Sequence, residues 1–163
     1  MITYRLATED DAEGKGYVHY QSWMETYTGL MDQQILDSRT LEKCVRLARN
    51  FPENTWIALE QDKVVGFSCY MASGDQDLTD TGEVRALYVL KTHQKMGIGK
   101  TLMRYAMDAL HQYQDISVWV LSTNSNAIDF YQRLGFESDG IAKDVQIGNF
   151  GTIHEIRMIK HIK

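Results

Sequence analysis

The chain has 163 residues, with 17 Lys and Arg against 22 Asp and Glu, a formal net charge of −5 that disfavours nucleic acid as its main partner. A hydrophobic content of 44%, a single proline and no low-complexity run point to one domain over residues 1–163 with its own core, not a tethered array. The N-terminus lacks a basic segment followed by an apolar one, no apolar run nears the roughly 20 residues of a bilayer span, and Cys44 and Cys69 have no metal-ligand spacing; a cytoplasmic protein with no membrane contact and no bound metal is expected.

In chain order, "ITYRLA" alternates as a first strand. Asp10 and Asp11 suit the N-cap of a helix over "AEGKGYVHYQSWMETY", which Gly29 ends. Leu41, Cys44, Val45, Leu47 and Ala48 recur at helical spacing and predict a second helix over "SRTLEKCVRLARN". The period then changes. "TWIALE" and "KVVGFSCYMA" read as strands joined by a short turn, and residues 73–81 as a polar loop. "EVRALYV" is a strand that runs through a glycine loop into a helix reaching about Tyr113. "ISVWVLS", apolar almost throughout, reads as a central strand covered on both faces. "SNAIDFYQRLG" is a short helix closed by Gly135, and "FESDGIAKDVQIG" and "TIHEIRMIK" form a hairpin turning near Asn149. This order predicts a mixed α/β fold, one sheet with helices on both faces.

The stretch "MGIGKT", residues 96–101, invites a phosphate. A nucleotide P-loop ends in Gly-Lys-Thr, as Gly99, Lys100 and Thr101 do, but requires a glycine where Gln94 stands. The dinucleotide fingerprint fails where its third glycine would fall on Leu102. What both motifs share remains: a strand, a tight loop and a helix whose first amides and positive dipole end favour an anion.

"QKMGIG", with Gln94, Gly97 and Gly99, and "NSNAIDFYQRLGF", with Asn124, Ala127, Phe130, Tyr131, Gly135 and Phe136, follow in order on these elements, after a strand carrying Glu83 near its start. In these motifs the chain resembles the GNAT acetyltransferase superfamily, whose members move an acyl group from coenzyme A to an amine. The resemblance implies a mostly antiparallel sheet splayed between its central strands and acetyl-CoA as cofactor. It implies that the main chain of Gln94, Lys95, Met96, Gly97, Ile98, Gly99 and Lys100 cradles the pyrophosphate, with Lys100 and Thr101 adding a charge or a hydroxyl. Pantetheine would lie along Leu87, Tyr88 and Val89. The Leu87 amide would face the thioester carbonyl and the Val89 amide would hold a pantetheine amide, with Asn124 and Ala127 near by.

By the same resemblance Tyr131 is the candidate acid for the leaving thiolate and Glu83 the candidate base, also placed to attract the acceptor. Trp23 and Tyr27 would wall the acceptor pocket, with His154 and Glu155 as further contacts. Strand alternation puts Arg85 on the side of Glu83, where a guanidinium would lower the carboxyl's pKa and weaken it as a base. The function expected is N-acetylation of a small-molecule amine. A protein N-terminus or lysine is the alternative acceptor, and a non-catalytic acyl-CoA-binding module the alternative from another class. The resemblance also implies that the chain could form a homodimer by pairing through its C-terminal strand, "TIHEIRMIK".

Overall fold

A computed structural model describes all 163 residues. In chain order the elements are β1 (Ile2–Leu6), α1 (Ala12–Tyr27), α2 (Gln33–Ser38), α3 (Leu41–Asn50), β2 (Thr55–Glu60), β3 (Lys63–Ala72) and β4 (Thr81–Val89), then α4 (Ile98–Ala109), β5 (Asp115–Leu121), α5 (Ser125–Arg133), β6 (Glu137–Ile147) and β7 (Gly151–His161). The strands form one sheet in the order β1-β2-β3-β4-β5-β7-β6, antiparallel throughout except where β4 runs parallel to β5.

Two local expectations are corrected. The helix predicted over residues 38–50 begins only at Leu41, because Arg39 is extended (φ −91, ψ 116) and Thr40 caps α3 by accepting from the Lys43 amide; a short helix, α2, that was not predicted ends at Ser38. Helix α2 has only six residues, too few for the Ile35–Leu36 pair to show a period. Asp11 does stand at the start of α1, but its carboxylate reaches back to the Thr8 amide (2.8 Å) and to Arg5, not forward into the helix.

Helices α4 and α5 cover one face of the sheet over Val84, Ile116, Val118, Phe136 and Met158. Helix α1 packs Val18 on Ile57 and Phe67 on the other face, with Trp23, Ile35 and Leu36 beyond. Met103, Phe136 and Met158 are wholly buried, each removal from water stabilising by roughly 1.5–3 kcal/mol. Close packing needs Gly16: a Cβ there would lie 2.6 Å from the Val45 backbone of α3.

One feature of the sheet positions the site. Pairing of β4 with β5 runs only through Thr81↔Asp115, Gly82↔Ile116 and Glu83↔Ser117, although the strands continue to Val89 and Leu121. In β4 the register against β3 steps from Ala86↔Cys69 to Val84↔Tyr70, so Arg85 is the extra residue of a β-bulge. A bulge bends and over-twists its strand. Here it turns the far half of β4 away from β5 and opens a wedge between them.

Candidate active site

The α4 end of the wedge is built from main chain. Lys95 (φ 63) and Gly97 (φ 82) both take left-handed backbone, which curls the loop and leaves Gly97 as the N-cap of α4. The amides of six successive residues, Lys95 to Lys100, donate to no acceptor in the protein; the ladder of α4 begins with the Thr101 amide on the Gly97 carbonyl. The Gln94 amide, expected in this cradle, instead closes a turn on the Lys91 carbonyl, and its side chain donates to the Val89 carbonyl (3.2 Å). Met96 and Lys100 are exposed, Thr101 is half-buried, and Ile98 is buried beneath them and anchors the turn.

Along β4 the donors are set by alternation. The Leu90 amide bonds the Val65 carbonyl of β3, so the Tyr88 amide also points to β3 while those of Leu87 and Val89 point into the wedge. The Tyr88 side chain lies on the α1 face, against Phe67 and His19, its hydroxyl 3.5 Å from that of Tyr27. Burial pushes both phenols above their ordinary pKa, Tyr88 strongly.

Across the wedge, Asn124 accepts from the Ala127 amide (3.2 Å) and caps α5. That helix carries Tyr131 between Phe130 and Phe136, 9% exposed, and its hydroxyl has no hydrogen-bond partner in the protein. Burial, then the neighbouring Tyr27, raises this phenol far above its ordinary value, so it keeps its proton. Trp23 packs edge-to-face on Tyr27 with ring centres 4.8 Å apart, and the Arg39 guanidinium lies 4.3 Å over the Trp23 ring.

Glu83 stands where the β4–β5 pairing ends, 9% exposed, with neither a hydrogen bond nor an ion pair. The expectation that Arg85 holds its carboxyl low is corrected. The bulge breaks alternation, Arg85 donates instead to the Met71 sulfur (3.6 Å), and burial followed by Asp75 raises the Glu83 carboxyl above the usual range. Glu155, half-buried and raised by burial, faces the same region, whereas His154 is tied to Asp144 on the hairpin surface. The sequence reading missed the cluster of Asp75, Trp119 and Arg157, whose one signal is an arginine set in the apolar alternation of "TIHEIRMIK".

A cavity of about 250 Å³ lies beyond the open end of β5, lined by Leu30–Asp32, Ile35, Leu121–Thr123 and Thr152–His154. It touches neither Glu83 nor Tyr131, and the unpaired amides of Lys95 to Lys100 lie at the wedge and not at this cavity.

A model of the acetyltransferase (GNAT) domain matches residues 52–138, from the end of α3 to the start of β6. The chain belongs to the GNAT acetyltransferase family. It is 29% identical over 146 residues to the probable N-acetyltransferase Rv2775 of Mycobacterium tuberculosis, covering 85% of this chain and 82% of that protein. To the uncharacterized N-acetyltransferase YuaI of Bacillus subtilis it is 26% identical over 148 residues, 88% and 84% of the two chains. Among solved structures, the PaiA N-acetyltransferase of Thermoplasma acidophilum, crystallised with coenzyme A, shares the fold at a TM-score of 0.71 and 21% identity over 99% of each chain. This GNAT domain is thus an acyltransferase by family. No helix is long and apolar enough to cross a membrane.

Proposed function

We propose that this GNAT enzyme transfers the acetyl group of acetyl-CoA to the primary amine of a small molecule. The observation that carries the reading is the run of unspent amides from Lys95 to Lys100 at the mouth of the β4–β5 wedge. Six successive free donors at a helix N-terminus suit a pyrophosphate and are costly to leave without an anion or water. The Leu87 and Val89 amides suit an extended amide chain laid along β4 like an added strand. Acetyl-CoA supplies the activated acyl carbon.

The chain's own groups provide the rest. Glu83 takes the proton that an ammonium must lose before its nitrogen can attack. Its raised carboxyl suits that task better than an ordinary one. The Leu87 amide donates to the acyl oxygen as negative charge builds there, and Tyr131, still protonated and with a free hydroxyl, gives a proton to the departing sulfur. Trp23 and Tyr27 line the amine's approach. Asn124 holds the first turn of α5, and with it Ala127 and Tyr131, in place.

A small acceptor is favoured by how the far side closes. Ile35 of α2 and Trp23 pack against Ile147 and Ile153 of the β6–β7 hairpin, which ties the connection after α1 to that hairpin and suits a bounded pocket better than an open peptide groove. Mass spectrometry after incubation with acetyl-CoA and a mixed library of amines, amino acids and peptides tests this. Acetylated small amines are expected; adducts confined to peptide N-termini or lysines would move the acceptor to the protein class.

A further inference from the structure

The loop between β3 and β4 is pinned to the sheet by one buried cation. Arg157 of β7 has a side chain 2% exposed; its Nε donates to Asp139 (2.8 Å), its Nη1 to Asp75 (3.2 Å) and Asp77 (2.8 Å), and its Nη2 to Asp77 (2.6 Å). The same Oδ2 of Asp75 accepts from the indole Nε1 of Trp119 (3.0 Å). Asp75 is thereby fixed from two directions, a strong restraint for a loop residue.

Register shows what it is fixed beside. Trp119 pairs with Arg157 across β5 and β7, and lies two residues after Ser117, which pairs with Glu83. Residues two apart share a face, so Glu83, Trp119 and Arg157 form a diagonal row, with Asp75 bound at its Trp119–Arg157 end. The other charges facing Glu83 are Arg85 from its own strand, Lys143 from β6 and Glu155 from β7. Both cations are diverted: Arg85 to the Met71 sulfur, and Lys143 to a position 3.9 Å over the Trp119 ring. Neither forms an ion pair with Glu83.

We propose that Asp75 is a positioning residue for the transfer: clamped by Trp119 and Arg157, it holds a fixed negative charge on the sheet face that carries Glu83 and acts on the reaction through that carboxyl. A fixed like charge makes a carboxylate a stronger proton acceptor. Asp75 touches neither amine nor thioester and acts only through Glu83. This rests on the reading of Glu83 as the base.

The test compares Asp75→Asn with Asp77→Asn. Both remove one negative charge from the Arg157 cluster and keep a side-chain oxygen, but only Asp75 is also held by Trp119, on the strand that pairs with Glu83. Glu83 is titrated directly by NMR of 13C-labelled glutamate carboxyls, assigned with Glu83→Gln, and the pH profile of kcat/KM is measured in parallel. Melting temperatures check that each variant is folded.

In Asp75→Asn the Glu83 midpoint falls and the acid limb of the profile moves with it. On that limb the variant retains roughly twice the wild-type fraction of its own plateau. In Asp77→Asn neither midpoint nor limb moves. An unchanged Glu83 midpoint in Asp75→Asn overturns the inference, as does an equal shift in Asp77→Asn, which would make the effect one of net charge. A lowered midpoint with an unmoved acid limb supports Asp75's hold on Glu83 and removes Glu83 as the base, so the two readings fail separately.

Discussion

Gly97→Ala and Gly99→Ala, two residues apart in the α4 loop, are predicted to move stability in opposite directions. Gly97 has φ 82 and open space where a Cβ would stand, so an alanine there meets no atom and the cost is conformational alone. Left-handed backbone costs an L-residue roughly 1–2 kcal/mol, and the smaller entropy of the unfolded alanine chain returns roughly 0.4–1 kcal/mol, leaving a net loss of about 1 kcal/mol. For 163 residues, with an unfolding entropy of about 2.1 cal/mol/K per residue, the melting temperature falls by about 3 °C.

Gly99 is the second residue of α4 with ordinary helical backbone, and its Cβ would sit 3.6 Å from the Phe130 ring and 3.9 Å from Val89, in normal contact. Alanine there gains up to about 0.5–1 kcal/mol of helix propensity, a rise of 1–3 °C by the same entropy. That methyl group, however, stands between β4 and α5 at the mouth of the wedge, and coenzyme A affinity is expected to weaken by about ten-fold, roughly 1.4 kcal/mol. Scanning calorimetry of the free proteins and titration calorimetry with coenzyme A read both effects. A Gly99→Ala protein that is less stable yet binds coenzyme A as well as wild type would refute the reasoning, because the glycine would then serve packing and not the ligand.

Three further outcomes follow from the structure. Tyr131→Phe removes a hydroxyl with no protein partner, so melting is unchanged or slightly raised while turnover falls roughly ten-fold or more, measured by thiol release at several pH values. Arg157→Leu leaves three carboxylates facing one another without their cation and is expected to cost about 3 kcal/mol in denaturant titration, with limited proteolysis cutting first in residues 73–80. His19 is half-buried against Phe67 and Tyr88, and loss of hydration there, then the charges of Arg39 and Lys15, lower its pKa from 6.5 to about 3. A histidine kept neutral in the fold stabilises above the unfolded pKa and less as pH falls toward the folded one. Between pH 6.5 and pH 5 the wild type therefore loses about 2 kcal/mol that His19→Gln does not, read from urea unfolding of the two proteins.

Some of this was legible residue by residue. The helical recurrence of Leu41, Cys44 and Val45, the strand-forming run "KVVGFSCYMA" bounded by a short turn and the glycines of "QKMGIG" act over a few residues of chain, and the structure places α3, β3 and the α4 loop there. The helix over Ser125–Arg133 that carries Tyr131 follows from the same short spacing. Helix α2 escaped because six residues are too short to repeat, and the left-handed Lys95 because no glycine marks it. Arg85 was misjudged because strand alternation holds only until a bulge interrupts it, and a bulge is set by the partner strand.

The sequence by itself determined the elements, their order and the anion-favouring loop, since those depend on backbone propensities and amphipathic period within a few residues. Only the tertiary structure decided where β4 leaves β5, which amides stay unspent and what charge surrounds Glu83. Asp75 and Arg157 meet across 82 positions of chain, and a carboxyl's proton affinity depends on burial and on neighbours brought by other strands.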